Sequence, residues 1–156
     1  MATRDLHSHI KTVTHVAAQA ITATNTPSSG VDTKGFEAAE FLISVGTVTN
    51  IANSPQPTWT FKLEDSDDAS SNFAAVTDST LVLTGSAKSP VTTPDASTGV
   101  FLTIDDAAED ATTYRVGYVG PKRYVRVVAT AANTPGSTPY SVVAVLGRAA
   151  LEPTAD

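Results

Sequence analysis

The feature that most constrains this chain is a period of two. Over residues 58–65, Trp59, Phe61 and Leu63 alternate with Thr58, Thr60, Lys62 and Glu64. Such alternation puts apolar side chains on one face of a strand and polar ones on the other, so one face is core and the other meets water. Residues 37–45 repeat the pattern with Ala39, Phe41, Ile43 and Val45. Just before them, Asp32 first and Gly35 last suit a type I turn. No stretch sustains a helical period, and turn signals recur at the spacing of an all-β sandwich or barrel. Ser and Thr make up roughly a quarter of the chain, and its apolar content is mainly Ala and Val, a bias that suits pleated, half-buried surfaces.

The second half continues in shorter runs. Residues 81–84 and 99–105 read as strands, the latter with Val100, Leu102 and Ile104 on one face and an exposed Pro- and Thr-rich loop over 89–98 before it. Residues 113–119 lead through Gly120-Pro121 into 123–130, which reads as a hairpin, and Pro135-Gly136 supplies the type II turn of a second hairpin into 140–147. These last two strands are near-continuous apolar runs: Val125, Val127 and Val128, then Val142, Val143, Val145 and Leu146. Strands apolar on both sides are central in a sandwich or covered by a neighbouring subunit. The predicted core is Phe41, Ile43, Trp59, Phe61, Leu63, Val125, Val127 and Val143.

The expected organisation is an arm and linker over 1–30, an antiparallel β-sandwich or jelly-roll-like domain over 31–151, and a short tail over 152–156. Residues 13–24 suit an extended segment, and 26–30 form a Pro/Ser/Gly linker. Two readings stand side by side: an arm that pairs away from its own domain, or the first strand of the same sheet. On the arm reading Val13, His15 and Ile21 are contact residues, and deleting residues 1–29 leaves a folded domain that binds its partner more weakly.

At 156 residues the chain fits one domain with a sizeable core. Sixteen acidic residues against ten basic ones give a formal charge of −6, which makes the phosphate backbone of nucleic acid a poor partner. The absence of cysteine excludes disulfides and thiolate metal sites. The first ten residues carry Arg4, Asp5, His7 and His9 without an apolar h-region, and no apolar run reaches the length of a membrane span. The expectation is a soluble product of the cytoplasm with no membrane partner.

Chemistry is hard to find. All three histidines, His7, His9 and His15, lie in the presumed arm, a poor place for the base of a Ser-His-Asp site, and two ligands such as His7 and His9 do not make a metal site. Acidic residues cluster at Glu64, Asp65, Asp67 and Asp68 and again at Asp105, Asp106, Glu109 and Asp110. They read as solvated turns in preference to hard-cation sites, since neither stretch has the EF-hand pattern, and neighbours within one turn seldom oppose each other across a cleft as glycosidase carboxylates do. The phosphate-cradling glycine motifs are absent. Lys122, Arg123 and Arg126 form the densest basic group, either ordinary surface charge or an ion-pair rim against an acidic partner. No enzyme activity, cofactor or metal is expected.

Three stretches resemble a family of small tailed-phage virion structural proteins. They are Val31-Asp32-Thr33-Lys34-Gly35-Phe36-Glu37; Phe61-Lys62-Leu63-Glu64-Asp65-Ser66-Asp67-Asp68 with Phe73-Ala74-Ala75-Val76; and the run from Tyr114 to Val127, with Val142-Val143-Ala144-Val145-Leu146-Gly147 closing the pattern. The resemblance rests on their order and spacing. It implies a non-enzymatic virion component, foremost a capsid decoration or cement protein that self-associates as a dimer or trimer and binds the major capsid protein on the outer head surface. Head-tail connectors and tail proteins share these features. A reading from another class is a carbohydrate-binding β-sandwich module, with Trp59, Tyr114, Tyr118, Tyr124 and Tyr140 as stacking candidates, although the apolar register of Trp59 favours core packing.

Overall fold

The computed structural model describes residues 6–84 and 91–149. Among these, ten strands form two antiparallel sheets packed face to face, the all-β sandwich expected from the alternation. In the first sheet the order is β1 (Ile10–Ile21), β10 (Thr138–Ala149), β3 (Phe36–Val45), β8 (Thr112–Tyr118) and β6 (Val82–Leu83). The second runs β2 (Val31–Asp32), β9 (Tyr124–Ala132), β4 (Thr58–Ser66) and β5 (Ala74–Ala75). A further strand, β7 (Val100–Ile104), shares the far edge of β4 with β5: β7 takes its first half and β5 its second.

The period of two translates directly into the core. Phe41 and Ile43 of β3 and Trp59, Phe61 and Leu63 of β4 are at most 1% exposed. Tyr140, Val142, Ala144 and Leu146 of β10 and Val125, Val127 and Ala129 of β9 join them in the same layer. Trp59 also ties the sheets together, because its indole Nε1–H donates to Thr138 Oγ1 at 3.0 Å. That bond satisfies a buried donor which would otherwise be left without a partner.

Several expectations are corrected. Val143, predicted as core, is only half-buried, because β10 turns Tyr140, Val142, Ala144 and Leu146 inward instead. A run that is apolar at every position carries no phase, so the strand's neighbours choose its inner face. Neither predicted hairpin forms: β8 and β10 lie in the first sheet and β9 in the second, so Gly120-Pro121 and Pro135-Gly136 sit on connections that change sheets. Turn residues reverse the chain equally well at a hairpin and at a sandwich corner.

Smaller shifts follow local chemistry. The turn before β3 lies one residue later than expected. Asp32 Oδ1 accepts from Lys34 N at 2.9 Å, Phe36 N donates to Thr33 O at 3.0 Å, and Gly35 takes a φ of 87° that other side chains resist. A register shift of β7 between Phe61 and Lys62 lets Phe101 and Leu102 both turn inward, at 0% and 1% exposure. Period-two counting therefore missed Phe101. Of the loop over 89–98, residues 89 and 90 lie outside the described residues. Val91 is not exposed as expected: it is buried and bridges to Leu102.

The first thirty residues follow the second of their two readings. β1 pairs antiparallel with β10 from Ile10 opposite Gly147 to Ile21 opposite Thr138, so it is the edge strand of its own sheet and no free arm. Its Val16 and Ile21 are buried in the common core, and Val13 packs against it. The predicted tail over 152–156 lies outside the described residues.

Two outcomes follow. Deleting residues 1–29 removes an entire strand with two core side chains and bares the edge of β10, so the truncated chain is expected to lose cooperative unfolding in urea; a sharp transition with undiminished midpoint would return these residues to the status of an arm. Trp59→Ala should lower unfolding free energy by about 3–5 kcal/mol, measured by urea denaturation. A loss under about 1 kcal/mol is what a surface tryptophan would show.

Candidate interaction surface

The basic residues singled out in the sequence are engaged within the chain. Arg123 makes a two-pronged bond to Asp32, Nε to Oδ1 at 2.8 Å and Nη2 to Oδ2 at 2.7 Å, and lies over the Tyr124 ring at 4.9 Å from its centroid. This bond from Arg123 holds the Asp32 carboxyl below the usual carboxylate range. Lys122 pairs with Asp67. Arg126 is more enclosed: it donates to Glu64 Oε2 at 2.9 and 2.6 Å and to Pro27 O at 2.7 Å, and its guanidinium stands 4.1 Å above the Phe73 ring. A rim of free cations reaching toward an acidic partner is thus replaced by internal pairs. Glu64, expected on the wet face of its strand, is instead 9% exposed. Burial pushes its carboxyl up, but hydrogen bonds from Lys62 and Arg126 outweigh that and leave it below the ordinary value.

Val13, His15 and Ile21, expected as contacts of a free arm, serve the sandwich itself. His15 Nε2 accepts the backbone N–H of Val127 at 3.1 Å, joining the edge strand of the first sheet to β9 of the second. The chain between β1 and β2 reinforces this seam. Asn25 exchanges backbone hydrogen bonds with Ala129 at 2.8 and 3.0 Å, and Thr24 Oγ1 accepts from Ala131 N at 3.1 Å. Burial above all, with the charge of Arg126, lowers the His15 pKa to about 4. Sequence reasoning marked His15 as notable but had no signal for this partner 112 positions away.

The acidic clusters are likewise committed. Asp65 accepts from Tyr118 OH at 2.7 Å, and Asp68 accepts the hydroxyl of Ser71. In the second cluster Glu109 Oε2 accepts from Asp105 N at 3.1 Å, Asp106 Oδ1 from Ala108 N at 2.8 Å, and Asp110 Oδ2 from Val48 N at 2.9 Å. The carboxylates of the second cluster thus bind backbone donors, whereas Asp65, within β4, and Asp68 bind side-chain hydroxyls. Among the described residues no three histidine or acidic side chains gather as a metal site. No helix among them is long and apolar enough to cross a membrane. Four of the five candidate stacking aromatics, Trp59, Tyr114, Tyr118 and Tyr140, are buried, which leaves no platform of them for a sugar.

What remains outward-facing is the second face of the first sheet. Register sets Val145, Glu40, Gly117 and Leu83 side by side across β10, β3, β8 and β6. Thr14, Val143, Leu42 and Arg115 form the next row. Leu42, Val143 and Val145 are half-buried, and Leu83 is 53% exposed. The lack of a side chain at Gly117 leaves room for Glu40, because a Cβ there would meet Glu40 Oε2 at 2.9 Å and Leu83 Cβ at 3.0 Å. Its absence lets the Glu40 carboxylate lie against the sheet, where burial raises its pKa. Arg115 Nε stands 3.9 Å from Glu40 Oε1, and its side chain is 74% exposed. The shallow cleft of Glu40, Leu83, Thr84 and Arg115 holds about 210 Å³, less than the roughly 300–1,000 Å³ typical of small-molecule pockets. By contrast, the second face of β9 offers little apolar surface, since Val128 is 3% exposed and Tyr124, Arg126 and Thr130 are its neighbours there.

Comparison with protein-family models, curated proteins and solved structures finds no match to this chain.

The His15 contact predicts a pH dependence. The folded pKa lies below the unfolded value of about 6.5, so below that pH the unfolded chain binds a proton that the folded one refuses. Stability from this group is full above about 6.5 and declines as pH falls toward 4. The stability difference between the native chain and His15→Gln, from urea titrations at several pH values, should shrink by about 2 kcal/mol over that window.

Proposed function

We propose that this chain is a non-enzymatic structural protein of a tailed-phage virion, a capsid decoration or cement protein that self-associates and binds the major capsid protein on the outer head surface. The observation that carries the reading is the outward face of the first sheet, where Leu42, Val143 and Val145 form a continuous half-buried apolar strip beside exposed Leu83. Strips of that kind on a soluble domain mark surfaces of association. The remaining polar machinery supports the same reading: Arg123, Arg126, the turn carboxylates and His15 are engaged within the chain. A rigid sandwich that binds an assembled lattice, and not its free subunits, stabilises the lattice by mass action. The order and spacing of the three stretches that resemble phage structural proteins give the reading its biological setting.

The test is mass spectrometry of purified virions from the phage that encodes the chain, with its copy number measured against the major capsid protein. Copies on the order of hundreds are expected for decoration of a lattice, whereas about a dozen would indicate a ring-forming connector or tail component. Absence from purified particles would overturn the proposal.

A further inference from the structure

We infer that the outward face of the first sheet is a two-fold interface with a second copy of this chain, in which Glu40 of each protomer meets Arg115 of the other. The inference deepens the self-association part of the function proposed above and does not require the virion setting.

Three observations lead to a second copy as the occupant. First, the face is charge-balanced in a chain that is not. The protein carries a formal charge of −6, yet the two central rows of this face hold one acid, Glu40, and one base, Arg115. A partner selected by charge against this chain would meet acidic turns elsewhere, whereas a patch with one charge of each sign is complementary to itself.

Second, the two groups are placed for exchange. Glu40 lies opposite Gly117 and Leu42 opposite Arg115, so the acid and the base are diagonal neighbours on adjacent strands. A two-fold axis lying in the interface, crossing above the midpoint of that diagonal and perpendicular to it, sets each Glu40 over the other protomer's Arg115. Within one chain the pair is loose, at 3.9 Å with the arginine side chain 74% exposed, so Arg115 retains donors for a second carboxylate. Glu40 is already partly desolvated beside Leu83, and closing the face without a cation over it would be unfavourable.

Third, the size is right. The five neighbouring strands β1, β10, β3, β8 and β6 have 12, 12, 10, 7 and 2 residues, and at about 3.4 Å per residue and about 4.8 Å between strands they make a plan area of roughly 700 Å². Its side-chain relief brings that near the about 800 Å² per partner of a stable interface. Leu42, Val143, Val145 and Leu83 surround the charged pair and supply the apolar centre, while Thr14, Ser44, Thr113 and Ser141 supply a polar rim.

The experiment is sedimentation velocity of the purified chain over a range of concentrations, with charge reversals. The native chain is expected to sediment as a dimer. Glu40→Arg and Arg115→Glu should each weaken dimerisation by about tenfold or more, because each sets like charges against one another twice. Mixed in equal amounts, the two variants should recover a one-to-one heterodimer, since position 40 of each protomer then again faces a charge of opposite sign at position 115 of the other. A role confined to folding of one chain would not produce that recovery. Circular dichroism of each variant checks the fold; if Glu40→Arg fails to fold, Arg115→Glu, at an exposed side chain, must still weaken the dimer, and the double reversal within one chain must restore it. A native chain that is monomeric or trimeric, reversals without effect, or variants that fail to recover in combination would each overturn the inference. All of these outcomes are read without phage particles, so they stand apart from the virion proposal.

Discussion

Everything in this fold depends on two sheets keeping water out of one shared layer. Phe41, Ile43, Trp59, Phe61, Leu63 and Val142 have almost no contact with solvent. Their burial supplies the main driving force, at about 25 cal/mol for each Å² of apolar surface removed. A layer built this way has little room for polar groups, so the one indole N–H inside it must find its acceptor across the gap in Thr138. That bond adds direction to a packing force that has none, and it fixes how β4 and β10 sit against each other.

Such a sandwich has open sides, and the exposed backbone there is a liability. This chain closes one side with a histidine and a strap. Neutral His15 accepts the Val127 N–H, Asn25 bridges to Ala129, and Arg126 holds Pro27 O while pairing with Glu64. The arrangement explains why β1 belongs to the domain: it buries Val16 and Ile21 and also brings the acceptor that β9 lacks. The consequence is a dependence on an uncharged imidazole, because a protonated Nε2 has no lone pair left to accept with.

Once the core and that side are closed, the two outer faces differ in kind. The second sheet presents ion pairs, with Lys62, Glu64 and Arg126 in contact and Asp32 with Arg123 beside them. In its two central rows the first presents valine and leucine around one acid, Glu40, and one base, Arg115. Paired charges at a solvated surface contribute little to stability. The asymmetry leaves one outer face apolar at its centre and the other lined with paired charges.

The sequence by itself determined the fold class, the inward faces of β3 and β4, and the turn character of the second acidic stretch, Asp105 to Asp110. These are local properties: a period of two is visible within eight residues, and an Asp that binds the amide two positions on needs no distant partner. Tertiary structure alone decided which sheet each strand joined. It also decided that β1 was a member of the domain, which face of the valine-rich β10 turned inward, that Phe101 entered the core through a bulge, and that the basic residues were paired internally. Each of those outcomes rests on residues far apart in the chain, such as His15 with Val127 or Glu64 with Arg126. Alternation states only that a strand has two faces; what covers each face is settled by packing between elements whose order in space the chain's order does not reveal.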